Sequence, residues 1–506
     1  MSLLHNAYLF FATSVLRDID LYRRDPMPFQ EKVFRHLIWK GSDTLFGKEH
    51  GFSGIRNVSD FRRNVPVRDY NALKPYLDRV HDGEDYILYG EKTFYFAKSS
   101  GTSSDKSKFI PVTHDNLIRC HYRGFLEMLA TYINDHPDTG ILDGKSLTLG
   151  GTISSERRKG KTIWSGDLSG ILLKNSPGVV ELSRVPAKQI SLIPDFHEKI
   201  GKVCETCCTA DVTNFSGVPS WNLLLMEEVL KYTGKGSISD VWPNLELFFH
   251  GGTGFEPYRR QFETLIPSCR MRYLENYNAS EGYFAFQDEL SDPSMLLTVD
   301  NGVFYEFATM PDASGHRDIL SLDEVSVGIP YSVIISTTAG LWRYDIGDVV
   351  KFTSLRPCKI VMQGRTQLCI NTFGEELMIA NAESALAATC SAFGAEVADY
   401  TVAPVFMSMD RKRGAHQWVV EFKVSPSDPE KFADYLDRAI CERNSDYEAK
   451  RTHTYTMDRL ILNTVPPGTF LKWMDSRGRI GGQNKVPRLS EKRDFVESVM
   501  KMAESL

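Results

Sequence analysis

From Met1 to about Tyr89 apolar residues recur at intervals of three and four, as at Phe29, Val33, Phe34 and Leu37, and this spacing predicts a helical layer. Tyr70, Leu73, Leu77 and Val80 continue it after short turns near Asp60 and Pro66. The pattern then changes. An apolar run from Thr93 to Phe96 leads into a polar stretch, and Phe109 to Val112 leads out, which reads as strand, loop and strand. Thr113 to Asn116 supply cap candidates for a helix running to Tyr132, with Leu117, Cys120, Phe125, Met128 and Leu129 on its apolar side.

Further along, residues 146–151 and 162–173 read as strands and turns, 190–214 as a helical region, and 221–231 as a helix. Leu245 to Gly252 is a strand ending in paired glycines, followed by a helix at 257–265. A strand from Arg272 ends at Tyr277-Asn278-Ala279-Ser280-Glu281-Gly282, and a second polar turn, Tyr344-Asp345-Ile346-Gly347-Asp348, heads a Val-rich strand. Alternation breaks at Gly364, which reads as a hinge. Beyond it a small α/β unit of about 140 residues is expected, with helices at 379–389 and 429–442 and strands at 397–407 and 417–423. The chain shows no internal repeat and no low-complexity segment.

At 506 residues, 42% hydrophobic and 25% charged, the composition is that of an ordinary globular protein of several domains. A net charge of −6 with no basic block argues against nucleic acid as the main partner. The apolar group Ala7 to Ala12 lacks a basic flank and is far shorter than the roughly 20 residues a bilayer requires, so a first amphipathic helix is expected and no membrane anchor. Nine scattered cysteines suit reduced thiols, hence a cytoplasmic location. Cys204, Cys207 and Cys208 have no second pair at zinc spacing.

Candidate chemistry gathers at the polar turns. Ser99, Ser100, Gly101, Thr102 and Ser103 offer hydroxyl donors, unpaired backbone N–H groups and a glycine able to take positive φ, which together suit phosphate oxygens. Lys106 and Lys108 add positive charge. An ordinary Ser/Gly turn has the same composition, and there is no Walker match, because Lys106 follows Asp105 and the second glycine is missing. Gly251 and Gly252 admit a flat ligand to the backbone or simply turn the chain. Glu281 can bind Mg²⁺ and Ser280 a phosphate, with a solvated hairpin turn as the plainer alternative. Asp348 presents two acceptor oxygens, the number a ribose diol needs, or caps a polar turn. Lys485, on the loop Gly481-Gly482-Gln483-Asn484, is a candidate electrostatic catalyst or a surface lysine. For a base, His114, His121 and His250 are candidates by position, each also readable as a structural histidine.

Taken in order, Ser99 to Ser103 with Lys108, Tyr277 to Gly282, Tyr344 to Val349 and Lys485 resemble the acyl-acid amido synthetases of the auxin-responsive promoter protein family, within the adenylate-forming superfamily. The resemblance implies an α/β fold, with a large N-terminal domain of β-sheets flanked by helices at residues 1–364 and a small mobile C-terminal α/β domain at 365–506. It also implies a two-step reaction: a carboxylic acid and Mg·ATP give an acyl-adenylate and pyrophosphate, then an amino acid's amine displaces AMP to form an amide.

Carried over by residue, Ser99, Ser100, Gly101, Thr102, Ser103 and Lys108 would hold the ATP phosphates, and Tyr277, Ala279 and Ser280 would line the adenine and α-phosphate. Glu281 would ligate Mg²⁺, Asp348 would hold the ribose, Gly251 and Gly252 would lie beside the adenine, and Arg365 would reach the nucleotide from the hinge. Lys485 would swing in to offset charge at the α-phosphate. Two departures stand out: Asp105 where the family usually has glycine, and Tyr344-Asp345-Ile346 where plant members more often carry Arg or Val. An acyl-CoA synthetase-like ligase with a thiol acceptor shares the first step and its motifs, and a non-catalytic nucleotide or acid sensor is the alternative of a different class. The acyl acid, the acceptor and the oligomeric state are not readable from the chain.

Overall fold

A computed structural model describes residues 3–100, 107–252, 255–312, 314–365, 369–408, 411–453, 456–476 and 487–504. The expected helical layer is present as Leu3–Arg24, Met27–Gly41, Val58–Asn64 and Tyr70–His81. Asn57 and Asp69 cap the last two by accepting from Asp60 N and Ala72 N. The periodic residues Val33, Phe34, Leu37, Phe61, Leu73 and Leu77 are buried, and the Phe34 ring lies 5.1 Å from that of Phe304 in the sheet below.

That sheet has twelve strands and two kinds of pairing. In its first part, Lys145–Thr148, Val212–Gly217, Leu247–Gly251 and Arg272–Ala279 run parallel. The rest, from the Arg272–Ala279/Gly282–Gln287 hairpin to Cys358–Arg365, is antiparallel. Parallel strands are covered on both faces, which is why Leu247-Phe248-Phe249 is continuously apolar instead of alternating. A separate four-stranded sheet pairs Tyr95–Ser100 antiparallel with Ser107–Val112 and parallel with Lys161–Gly166.

The C-terminal part has its own sheet of Glu396–Val405, Ala415–Val424 and Ile461–Val465, with the helices Ile379–Phe393 and Pro429–Arg443. It rests on helices beside the parallel strands. Phe248, Phe255 and Phe262 share one apolar cluster with Ile370, Phe373 and Trp418. Tyr258 Oη donates to Thr372 O at 2.6 Å, and Gln261 Nε2 to Met407 O at 2.9 Å.

Two expectations need correction. Residues Leu168–Asn175 are a helix, and its buried Ile171 and Leu173 read equally well as part of a strand. Val212 to Asn214, the end of the expected helical region, open the interior parallel strand Val212–Gly217, and a short buried strand cannot be told from a helix by periodicity. The expected break of alternation at Gly364 falls on a bulge: Val349 pairs with Gly364 and Val350 with Met362, leaving Gln363 over, with Gly364 at φ +122, and the strand Cys358–Arg365 ends one residue later. Ile461–Val465, Thr469–Ser476 and Asp494–Ala503 were not anticipated at all. Among the described residues no helix is long and apolar enough to cross a membrane.

Candidate functional site

The parallel strands deliver their C-terminal ends to one edge, the place where open α/β sheets bind ligands. Gly251 pairs with Asn276, so the glycine pair and the Tyr277–Gly282 segment are neighbours by register. A side chain at Gly251 would run into the Asn276 carbonyl, and Gly252 takes φ +80, so both positions require glycine. Arg272–Ala279 extends beyond that pairing and turns through Ser280 and Glu281 into Gly282–Gln287, with Ala279 opposite Gly282. Tyr277 and Ala279 share one face of their strand; Asn278 is on the other.

A distant strand meets this turn. The Tyr277 hydroxyl donates to Asp348 Oδ2, joining two of the sequence motifs across 71 positions. Asp348, only 5% exposed, lies opposite Arg365 in the Tyr344–Leu355/Cys358–Arg365 ladder. Beside it, Asp345 accepts from Arg317 Nη1 and Ser332 Oγ at 2.8 Å each and from Gly347 N at 3.0 Å, so the departing residue Asp345 holds the turn together.

The strands flanking the hydroxyl loop are also tied to this region. Ser99 pairs with Lys108 and Ser100 with Ser107. Phe109 N donates to Tyr70 Oη at 3.0 Å, and Arg68 exchanges backbone hydrogen bonds with Arg343 and Asp345, so the segment Arg68–Tyr70 bridges the loop's exit strand to the strand of Asp348. Lys108 Nζ sits 5.8 Å from the Tyr70 ring centroid. Gly101, Thr102 and Ser103, with Asp105 and Lys106, fall outside the described residues, as does Lys485.

The described part of the site fits a magnesium nucleotide in its donor set. Glu281 is one partly exposed carboxylate in a turn, and Mg²⁺ is commonly held by one or two carboxylates with substrate phosphates and waters completing the shell. Asp348 is a buried acceptor.

The three histidines divide. His114 is exposed. His250 is buried and stacked on Phe255 at 4.2 Å; burial, with Arg259 nearby, pushes its pKa down to about 3. His121 is buried behind the hairpin and bonded to Asn278. Burial removes His121 and His250 from the exposed candidates for a base, and His114 alone of the three is exposed.

Two features escaped sequence reasoning. Leu147-Thr148-Leu149-Gly150-Gly151 repeats the strand-then-two-glycines pattern of Phe248 to Gly252, and it ends the neighbouring parallel strand but one. Gly150 and Gly151 lie tight against Leu173 and Asp167, and buried Lys199 donates to Gly150 O at 2.7 Å, its pKa lowered to about 8 by that burial. The repeat was visible in the sequence. The second feature was not: helix Ser445–Glu448 of the C-terminal part packs on Tyr95–Ser100 and brings Asp446 near Lys98, Asp167, Glu376 and Lys450. Lack of solvation there, with Glu376 alongside, pushes the Asp446 carboxyl up to about 7. On the same seam Asn371 Nδ2 donates to Gly252 O at 3.3 Å, and Lys450 Nζ lies 4.9 Å from the Trp221 ring centroid.

Comparison with known proteins agrees with this layout. The models described as the GH3 family N-terminal, central and C-terminal domains match residues 15–200 and 161–271, 296–365, and 380–494. An indole-3-acetic acid-amido synthetase GH3.8 of Oryza sativa subsp. indica is 25% identical, over 94% of this chain and 90% of its own length. A jasmonoyl–L-amino acid synthetase JAR6 of Nicotiana attenuata is 24% identical, over 95% and 93%. Among solved structures, a GH3.15 acyl acid amido synthetase superposes with a TM-score of 0.60 at 17% identity, covering 97% of this chain and 95% of that one.

Proposed function

Because the chain belongs to the GH3 family, we propose that it is an ATP-dependent acyl-acid amido synthetase. A carboxylate oxygen attacks the α-phosphorus of ATP and the bond to pyrophosphate breaks. An amino acid's amine then attacks the acyl carbon of the adenylate, forming the amide and releasing AMP and a proton. The observation that carries this reading is the Tyr277–Asp348 contact beside the Gly251–Asn276 pairing, which draws three separate motifs to one sheet edge.

In this reading Gly251, Gly252, Tyr277 and Ala279 flank the adenine, Asp348 accepts from the ribose hydroxyls, and Arg365 reaches the nucleotide. Ser280 with Ser99 to Ser103 and Lys108 holds the phosphates. Glu281 would hold Mg²⁺, which when bound offsets phosphate charge and orients the leaving group. Lys485 supplies a cation at the α-phosphate in the first step. Adenylation leaves little covalent chemistry to the protein, so these residues act by placing two anions against each other in a field that favours the transition state. We divide the chain at 364/365, supported by the separate three-stranded sheet, and place it in a reducing cytoplasm, supported by nine unbridged cysteines.

The acceptor is an amine and the donor a carboxylic acid; the acids named for the relatives are theirs. Incubation with ATP, a carboxylic acid panel and either mixed amino acids or CoA, read by mass spectrometry, tests the proposal. Acid-dependent pyrophosphate exchange with amide product is expected. Thioester formation in place of amide would assign a thiol acceptor, and absence of exchange with every acid would leave a nucleotide-binding protein without turnover.

A further inference from the structure

The helix behind the hairpin is irregular where it touches it. Residues Asn116–Tyr122 form a π-helical turn before the regular helix Arg123–Asp135. Such turns widen the helix and change which residues share a face. Here two consecutive residues both reach the hairpin. Cys120 Sγ accepts from Tyr283 N at 3.2 Å, and His121 Nδ1 meets Asn278 Oδ1 at 3.1 Å. Asn278 and Tyr283 are direct cross-strand partners, one on each side of the turn that carries Ser280 and Glu281. Gly124 lets the helix approach until a side chain there would collide with the Tyr283 ring, and a side chain at Gly282 would lie 3.2 Å from Cys120 Sγ.

We propose that His121 is a positioning residue for the Ser280–Glu281 turn, acting through the Asn278 side chain, a role that rests on the nucleotide-binding reading of that turn. The carboxamide oxygen can only accept, so Nδ1 carries the ring proton and Nε2 is left as a buried lone pair with no partner. Burial pushes the imidazole pKa down to about 4, so the ring is neutral at working pH. A buried polar ring with one idle nitrogen is costly as mere filling, and the Asn278 bond is what offsets that cost. Held from behind at Asn278 and Tyr283, the turn presents Ala279 to Glu281 in one geometry. A misplacement of about 1 Å at such a site can cost up to 10²-fold.

The test uses wild type, His121→Leu, His121→Gln, Asn278→Ala and the double variant His121→Leu/Asn278→Ala. Calorimetric binding of Mg·ATP, acid-dependent pyrophosphate exchange and the melting temperature are measured for each. His121→Leu and Asn278→Ala should each weaken Mg·ATP binding by about tenfold or more, His121→Gln should recover most of it, and the double variant should add little. Wild-type binding in Asn278→Ala, or losses that simply add in the double variant, would overturn the proposal. If His121→Leu fails to fold, Asn278→Ala and His121→Gln still decide. A wild-type enzyme without exchange would count against the functional reading alone, because the binding series tests the positioning role separately.

Discussion

The hairpin that carries Glu281 and the C-terminal lobe that carries Lys485 are held in opposite ways. Both hairpin strands lie inside the twelve-stranded sheet, with Leu274, Tyr277, Tyr283, Phe284, Ala285 and Phe286 buried and a helix clamped across the back. The C-terminal sheet shares no strand pairing with the large one among the described residues. An apolar patch, a few side chain-to-carbonyl hydrogen bonds and a mixed cluster of charges hold the lobe instead. Under the proposed function the contrast reads as a division of labour: the groups assigned to hold the nucleotide in register sit on the sheet, and the lysine assigned to one step sits on the more lightly held lobe.

The sharpest way to break that contrast is in the hairpin's core. Phe284 is fully buried, 4.8 Å from the Tyr277 ring and 6.3 Å from that of Tyr305. Phe284→Ala should destabilise the large domain by about 3–5 kcal/mol, the usual range for a buried aromatic cut to alanine. Denaturant unfolding measures it. A loss under roughly 1 kcal/mol, the scale of a surface change, would mean the hairpin is not part of the cooperative core.

How much of this was legible in the sequence follows the same division. The helical layer and the strand before Gly251 announced themselves because their patterns are local: Val33, Phe34 and Leu37 repeat at helical spacing, and Leu247-Phe248-Phe249 is an apolar run closed by glycines. The ordered motifs named the family. What brings them together is non-local. Tyr277 meets Asp348 across 71 positions, and His121 meets Asn278 across 157, and no periodicity encodes either contact. The errors are local signals overruled by packing: Leu168–Asn175 looks like part of a strand run until it winds as a helix, and Val212 to Asn214 look like the end of the preceding helical region until the parallel sheet takes them in. The pair Gly150-Gly151 was readable and overlooked, since it repeats the apolar-run-then-two-glycines pattern of residues 248–252.

The lobe can be tested without disturbing the sheet. Lys485→Ala should lower pyrophosphate exchange by about 10²–10³, the loss expected when one preorganised electrostatic donor is removed. Amide formation from a supplied acyl-adenylate should be nearly unchanged, because the proposed role of the lysine is confined to the first step. Equal losses in both steps would mean that the lysine holds the lobe or the site together and does not act at the α-phosphate.

The smallest effect concerns how tightly the lobe docks. Asp446 is faced by Glu376 and Lys450 from its own lobe and by Lys98 and Asp167 from the large domain, three carboxylates against two lysines counting Asp446 itself. In the docked state its carboxyl titrates near 7; released into water it returns toward the ordinary value of 3.8. The docked form therefore holds a proton more tightly than the open form. Docking is favoured at low pH and weakens as pH rises toward 7, by up to about tenfold in the closed-to-open ratio per pH unit between the open-form and docked values, and levels off above about 7. Limited proteolysis of the 365–379 connection from pH 5.5 to 8.5 reads the open population. Cleavage should rise with pH in the wild type, and Asp446→Asn, which keeps the shape and removes the charge, should flatten the profile at its low-pH level. An unchanged slope in Asp446→Asn would move the pH sensitivity elsewhere on the seam and leave the lobe held by its apolar patch alone.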